Sequence, residues 1–278
     1  MFKRAFIIGT GLIGGSLAIA FKKRKLVKEI LGYDRSLENL NKAESLGIID
    51  RQAELKEVNE CDLVIVSVPV LSIPSVLLSV FPMLKKGAYI LDVGSVKGYV
   101  VEKVENKIPP GIDYVPLHPV AGKEISGPES AEERLFEGRT VVITPIRNER
   151  WKKIEELIEA IGAVPIYMDY KLHDELFAIS SHIPHILSFA NVNLLREMNV
   201  NNVRFLIGTG FKDFTRIAKS NEEIWADIVI ANKHYVLKAM ERLFKGWSKI
   251  KKAISCSDRA KLTGLWREAR LFREKLDG

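Results

Sequence analysis

A chain of 278 residues, 47% hydrophobic and 28% charged, has the balance of an ordinary globular protein and length for one or two domains with their own cores. Its net charge of +7 favours anionic partners, but acids are interleaved with the cations and no like-charge block is long enough for a nucleic-acid arm. Cys61 and Cys256 stand in no metal or redox spacing, as in a cytoplasmic protein with reduced thiols, and Gly9, Gly11, Gly14 and Gly15 interrupt the apolar stretch 5–21, which is therefore read as neither a leader nor a membrane span.

Along the chain, short apolar runs alternate with helical patterns. Strands are expected at 5–8, 29–33, 63–68, 88–92, 113–116, 140–144 and 164–167. Several are continuously apolar, as strands covered on both faces are. Helical spacing falls at 12–23, 36–46, 72–80, 97–106 and 149–161. This alternation predicts an α/β fold with a parallel, doubly wound sheet of the Rossmann type. Beyond Asp169 no strand is expected, and helical patterns run over 170–198, 222–254 and 257–275. The expected organisation is a dinucleotide-binding domain over residues 1–168 and an all-helical domain over 169–278.

Gly9-x-Gly11-x-x-Gly14 follows the first strand and opens the first helix. Gly9 permits the tight turn, Gly11 lets backbone approach a pyrophosphate, and Gly14 lets helix pack on strand. Leu12 and Ile13 begin the helix, whose free N–H groups and partial positive charge suit phosphates. Asp34 lies 20 residues after Gly14 at the end of the second strand, where a carboxylate hydrogen-bonds the ribose hydroxyls and repels a 2′-phosphate. The implied cofactor is NAD, although Arg35, beside Asp34, is a residue type that accepts such a phosphate. Ser67, in the turn Ser67-Val-Pro69, is placed to face the cofactor.

Ligands of open α/β sheets sit at the carboxyl ends of strands. Ser95 follows the strand at 88–92, either as N-cap of the next helix or as a substrate contact. Lys97 either meets an anionic substrate or is solvated. His118, held between Pro116 and Pro119 at a strand end, is a candidate acid–base group because its pKa lies near working pH. In the helical part, Phe177, Ser181 and His185 recur every fourth residue and are expected on one helix face. Pro184 removes an N–H from that helix and hints at a shaped site. His182 and His185 have no local Cys or Glu to complete a metal set, so none is expected. Arg216, near Gly210, suits a bidentate carboxylate clamp.

Together these segments resemble the prephenate dehydrogenase family over nearly the whole chain. The resemblance rests on the glycine motif with Asp34, Gly94-Ser-Val-Lys-Gly98, His118-Pro-Val-Ala-Gly122 with Glu124, Ser181-His-Ile-Pro-His185, and Gly210-Phe-Lys-Asp-Phe-Thr-Arg-Ile-Ala218 with Trp225. It implies an NAD-dependent oxidative decarboxylation of prephenate, a dicarboxylate. His118 and Ser95 would hold the ring hydroxyl, and Arg216 a carboxylate. His185, Ser181 and His182 would line the cavity, with Glu124 near its mouth. It also implies a homodimer built through the helical domain, with no nucleic-acid or membrane partner. Lys123 departs from the small polar residue frequent in relatives. The alternatives are arogenate dehydrogenase, a β-hydroxyacid dehydrogenase, and a non-catalytic NAD-binding protein.

Overall fold

Continuous apolar runs become the middle of a sheet. The computed structural model describes residues 1–123, 125, 127–146 and 151–276. Its strands are β1 (Phe2–Ile8), β2 (Val27–Tyr33), β3 (Arg51–Gln52), β4 (Leu63–Val66), β5 (Tyr89–Asp92), β6 (Asp113–Pro119), β7 (Thr140–Ile143) and β8 (Val164–Tyr167). They form one eight-stranded sheet in the order β3-β2-β1-β4-β5-β6-β7-β8. Every pair is parallel except β6 with β7, which runs antiparallel and sets His118 opposite Val142. This corrects the all-parallel expectation. A two-residue β3 carries no readable pattern, and strand direction leaves little trace in an apolar run.

Adjacent side chains of β1 point to opposite faces, so Phe6 and Ile7 are both fully buried in different clusters. The helices α1 (Leu12–Lys23), α2 (Leu37–Ser45) and α5 (Lys152–Ala160) cover one face with Leu17, Phe21, Leu40 and Ile154. On the other, α3 (Ile73–Val80) and α4 (Gly98–Val104) bring Leu77 and Val100 against Val64 and Ile90. Ser36 caps α2, accepting from the Asn39 N–H at 3.2 Å.

After β8 the described chain is helical: α6 (Tyr170–Phe177), α7 (Ile183–Glu197), α8 (Thr209–Thr215), α9 (Glu222–Ala231), α10 (Lys233–Ser255) and α11 (Arg259–Leu276). By packing, the chain parts into two compact units, residues 1–232 and 233–278. In the first, α6 packs on α4 and α9 on the turn Val70–Ser72 after β4. In the second, α10 and α11 pack on each other.

Two expected long helices are interrupted. Between α6 and α7 lies a π-helical turn, Ala178–His182, in which the Ile183 N–H bonds to the Ala178 carbonyl five residues back. Pro184 sits in the first turn of α7, where its missing N–H is tolerated. The wider turn shifts the expected face: His182 becomes fully buried while Ser181 is only half-buried. The pattern over 222–254 breaks at Asn232, whose side chain turns into the core.

Candidate active site

The carboxyl ends of parallel β1, β4, β5 and β6 share one edge of the sheet. Gly9, Ser67, Ser95 and His118 therefore gather there from separate parts of the sequence. Gly9 has a φ of +95°, and a Cβ on it would stand 2.1 Å from the Ser67 carbonyl oxygen. A Cβ on Gly14 would stand 2.1 Å from the Gly9 carbonyl oxygen. Gly11 differs: a Cβ there meets nothing within 4 Å. Its open side adjoins the start of α1, where no side chain caps the helix and Leu12 and Ile13 are half-buried. The cradle has room for a pyrophosphate where backbone N–H groups are available.

Asp34 ends β2 beside this cradle. Its Oδ2 accepts from the Thr10 backbone N–H at 2.8 Å and the Thr10 hydroxyl at 3.1 Å, and its Oδ1 from the Ser36 N–H at 2.9 Å. The carboxylate thus ties the glycine turn to the start of α2, while Arg35 is exposed. An open cradle with an acid fixed at its end fits a dinucleotide with free ribose hydroxyls.

Beneath the next strand ends lies a buried ion pair. Lys97 is fully buried, its Nζ 2.5 Å from Asp92 Oδ1 and 2.5 Å from the Leu117 carbonyl oxygen. Asp92 also accepts from the Gly94 N–H and, at 2.6 Å, from the Tyr114 hydroxyl. Burial lowers the Lys97 ammonium from its ordinary value against the pull of Asp92 and Asp174, and raises the Tyr114 hydroxyl well above its own. Lys97 is therefore neither solvated nor presented to a ligand. It clamps β5 to the residue before His118.

Ser95 does not cap α4, contrary to one expectation. It is half-buried on the segment before the helix, and the caps come from another element. Asp174 of α6 accepts the Lys97 N–H at 2.9 Å and the Gly98 N–H at 2.8 Å.

His118 is buried at the end of β6, with Nδ1 2.8 Å from His173 Nε2. His173 Nδ1 lies 2.7 Å from Asp174 Oδ1. Phe177 packs on both rings, with centroids 4.6 and 4.4 Å away. Asn232 Nδ2 donates to the Asp174 carbonyl at 2.8 Å and to His182 Nδ1 at 3.1 Å. Burial, with His173, Lys97 and His182 adding to it, holds His118 well below the usual histidine range. Burial lowers His173 less freely, because Asp174 opposes it, and takes His182 down to about 4.

His185 stacks on Trp225, with centroids 3.3 Å apart and planes 18° from parallel, and its Nδ1 meets the Ser181 carbonyl oxygen at 3.0 Å. Arg216 is exposed after α8, on a turn (Arg216–Lys219) that packs against α7, the helix of His185. Lys123 forms an ion pair with Glu132. Glu124 lies outside the described residues. Among the described residues no group of three or more His, Cys, Asp or Glu is placed to hold a metal, and no helix is long and apolar enough to cross a membrane. Sequence reasoning missed His173, Asp174 and Asn232. The available signals were an adjacent His-Asp pair one turn into a helix capped by Asp169, and an Asn interrupting an otherwise helical run.

A family model described as prephenate dehydrogenase, nucleotide-binding domain, matches residues 17–167, and one described as prephenate dehydrogenase, dimerization domain, matches residues 169–268. The chain is 33% identical to the prephenate dehydrogenase of Lactococcus lactis, over 99% of this chain and 78% of that protein. It is 32% identical to the cyclohexadienyl dehydrogenase of Zymomonas mobilis, over 93% and 90%. The solved prephenate dehydrogenase of A. aeolicus, in complex with hydroxyphenyl propionate and NAD+, superposes with a TM-score of 0.91 at 35% identity, covering 99% of each chain.

Proposed function

The chain belongs to the prephenate dehydrogenase family, and from that premise we propose how its residues carry out the reaction. The enzyme is an NAD-dependent oxidoreductase that oxidatively decarboxylates prephenate to 4-hydroxyphenylpyruvate in tyrosine biosynthesis. The observation that carries the residue assignment is His118: buried, bonded through Nδ1 to His173, and held by burial well below the usual histidine range, at the sheet edge it shares with the dinucleotide cradle.

Bound NAD supplies the hydride acceptor. Gly9, Gly11, Gly14, Leu12 and Ile13 hold its phosphates, Asp34 its ribose, and Ser67 faces it, with Arg35 at the rim. His118 accepts the proton of the ring hydroxyl as hydride leaves the same carbon. Loss of carbon dioxide from the opposite ring carbon then feeds electrons toward that oxygen and makes the ring aromatic. The phenolic oxygen needs a proton, and His118 returns the one it took, so the histidine ends neutral. Aromatisation drives the reaction, and the protein's task is placement. Ser95 steadies the hydroxyl, Arg216 clamps a carboxylate, and His185 and Ser181 line the cavity.

Residues 169–278 serve substrate binding and homodimerisation, in a protein of the cytoplasm. Exposed Phe205, Leu206, Phe244, Trp247 and Phe272 support the dimer, since large apolar side chains on one monomer call for a covering surface. The deciding experiment mixes the protein with NAD and prephenate, or with arogenate, and follows NADH absorbance. Faster turnover of prephenate is expected. Tight NAD binding with no turnover of either substrate would sink the reading.

A further inference from the structure

The buried line from His118 to Asp174 has a direction, set by what each atom is able to donate. Asp174 faces backbone N–H groups with both oxygens, Lys97 N at Oδ1 and Gly98 N at Oδ2, so both oxygens act as acceptors. His173 Nδ1, 2.7 Å from Oδ1, therefore carries hydrogen and donates. Neutral His173 then presents only a lone pair at Nε2. The contact at 2.8 Å requires His118 Nδ1 to be the donor there. His118 Nε2 is left with the lone pair.

The surroundings hold this arrangement. Lys97 and His182, the other titratable groups acting on His118, both disfavour a second proton on its ring. Lys97 is itself held by Asp92 and the Leu117 carbonyl. Asn232, bound to the Asp174 carbonyl and His182, pins the backbone of the relay, and Phe177 walls both rings.

We propose that His173 and Asp174 are positioning residues that lock His118 in its Nδ1–H tautomer and so keep its Nε2 lone pair for the substrate's hydroxyl proton. The inference rests on the base role proposed for His118. Without the lock, an imidazole carrying hydrogen on Nε2 would face the substrate as a donor and could not begin the reaction.

Spectra of ring-15N-histidine protein read the tautomer without any turnover. His118 signals are identified by their loss in His118→Gln. A protonated Nδ1 and a lone-pair Nε2 are expected in the free protein, and the reverse would overturn the lock. A kinetic arm compares His173→Gln, whose amide oxygen reaches the former Nε2 position and accepts from His118 Nδ1, with His173→Leu, which has no acceptor. The expected kcat loss is on the order of 10²-fold or more for Leu and within about tenfold of the parent for Gln, with NAD affinity unchanged in both. Equal losses would overturn the proposal. If the Leu variant does not fold, the spectrum of the parent protein decides. The expected tautomer in a protein that never oxidises prephenate would support the lock and refute the reaction, whereas an active enzyme with the opposite tautomer would refute the lock alone.

Discussion

Replacing Lys97 with Met tests the clamp beneath His118. The methionine has similar length and fills the space, so the effect is electrostatic rather than a cavity. It removes the ammonium 2.5 Å from Asp92 Oδ1 and 2.5 Å from the Leu117 carbonyl, and both ends of the ion pair are fully buried. Asp92 is left with the Gly94 N–H and the Tyr114 hydroxyl as neutral donors for a buried charge. Stranding one member of a buried pair costs about 3–5 kcal/mol. For a unit of this size, about 2–4 °C per kcal/mol translates that into a fall in melting temperature of about 6–20 °C. Denaturant unfolding at neutral pH, monitored by tryptophan fluorescence, measures it. The double variant Lys97→Met with Asp92→Asn should recover part of the loss, because no buried charge is left. Asn at 92 offers its oxygen to the Gly94 N–H and its amide to the Tyr114 oxygen, leaving two neutral groups, the Leu117 carbonyl and the Tyr114 hydroxyl hydrogen, without their partners. A single-variant cost below about 1 kcal/mol, or a double-variant cost equal to the sum of the singles, would refute the reasoning.

Acid should unfold the protein through its buried histidines. His182 titrates at about 4 when folded against an ordinary 6.5, so between those values only the unfolded chain binds its proton. That stabilisation is complete above pH 6.5 and is lost as pH falls toward 4, about 3 kcal/mol in all; urea unfolding at stepped pH should show it, with a shallower slope in His182→Gln, and parallel slopes would remove His182 as a cause. Because burial holds His118 well below 6.5, the acid limb of kcat/KM should also fall below 6.5, and a limb centred higher would contradict a deprotonated base. Gly11→Ala places a methyl in open space, so melting should shift by under about 0.5 kcal/mol while NAD affinity drops about tenfold or more, and unchanged NAD titrations would move the pyrophosphate elsewhere. Arg216→Ala should chiefly raise KM for prephenate, since it removes a charged contact made before the transition state, and an unaltered KM would take Arg216 out of the site.

The fold was legible wherever a signal was local. Apolar runs marked seven of the eight strands, and the glycine motif placed the start of α1 at Leu12. What escaped was set by tertiary contacts. The reversal of β7 depends on which strand edge remains free. The breaks near Ala178 and at Asn232 lie in sequences that read as continuous helix, and the core pulls them out of that pattern. His182 turns inward on the π turn, and Asn232 leaves the helix to bond Asp174, 58 residues away.

The site divides along the same line. His118, Asp34 and the glycines were legible as candidates because a strand end is a local event and ligands of such sheets sit there. His173 and Asp174 were not, and Lys97 was read as substrate-facing or solvated rather than as a buried clamp, because charged and polar residues are rarely fully buried and solvation is the default expectation for each. Their meaning arises only across the fold, where the bond between His118 and His173 joins residues 55 apart. Burying an ion pair and a His–Asp pair together gains little stability over apolar packing of the same volume. Here each oxygen and nitrogen of that cluster which carries charge or hydrogen has a partner among the described residues, and its outermost member is the imidazole of His118, at the sheet edge where we place hydride transfer. A cluster retained for stability alone would have no reason to converge on that nitrogen, which is why the tautomer of His118, rather than the melting point, is the property that distinguishes the two explanations.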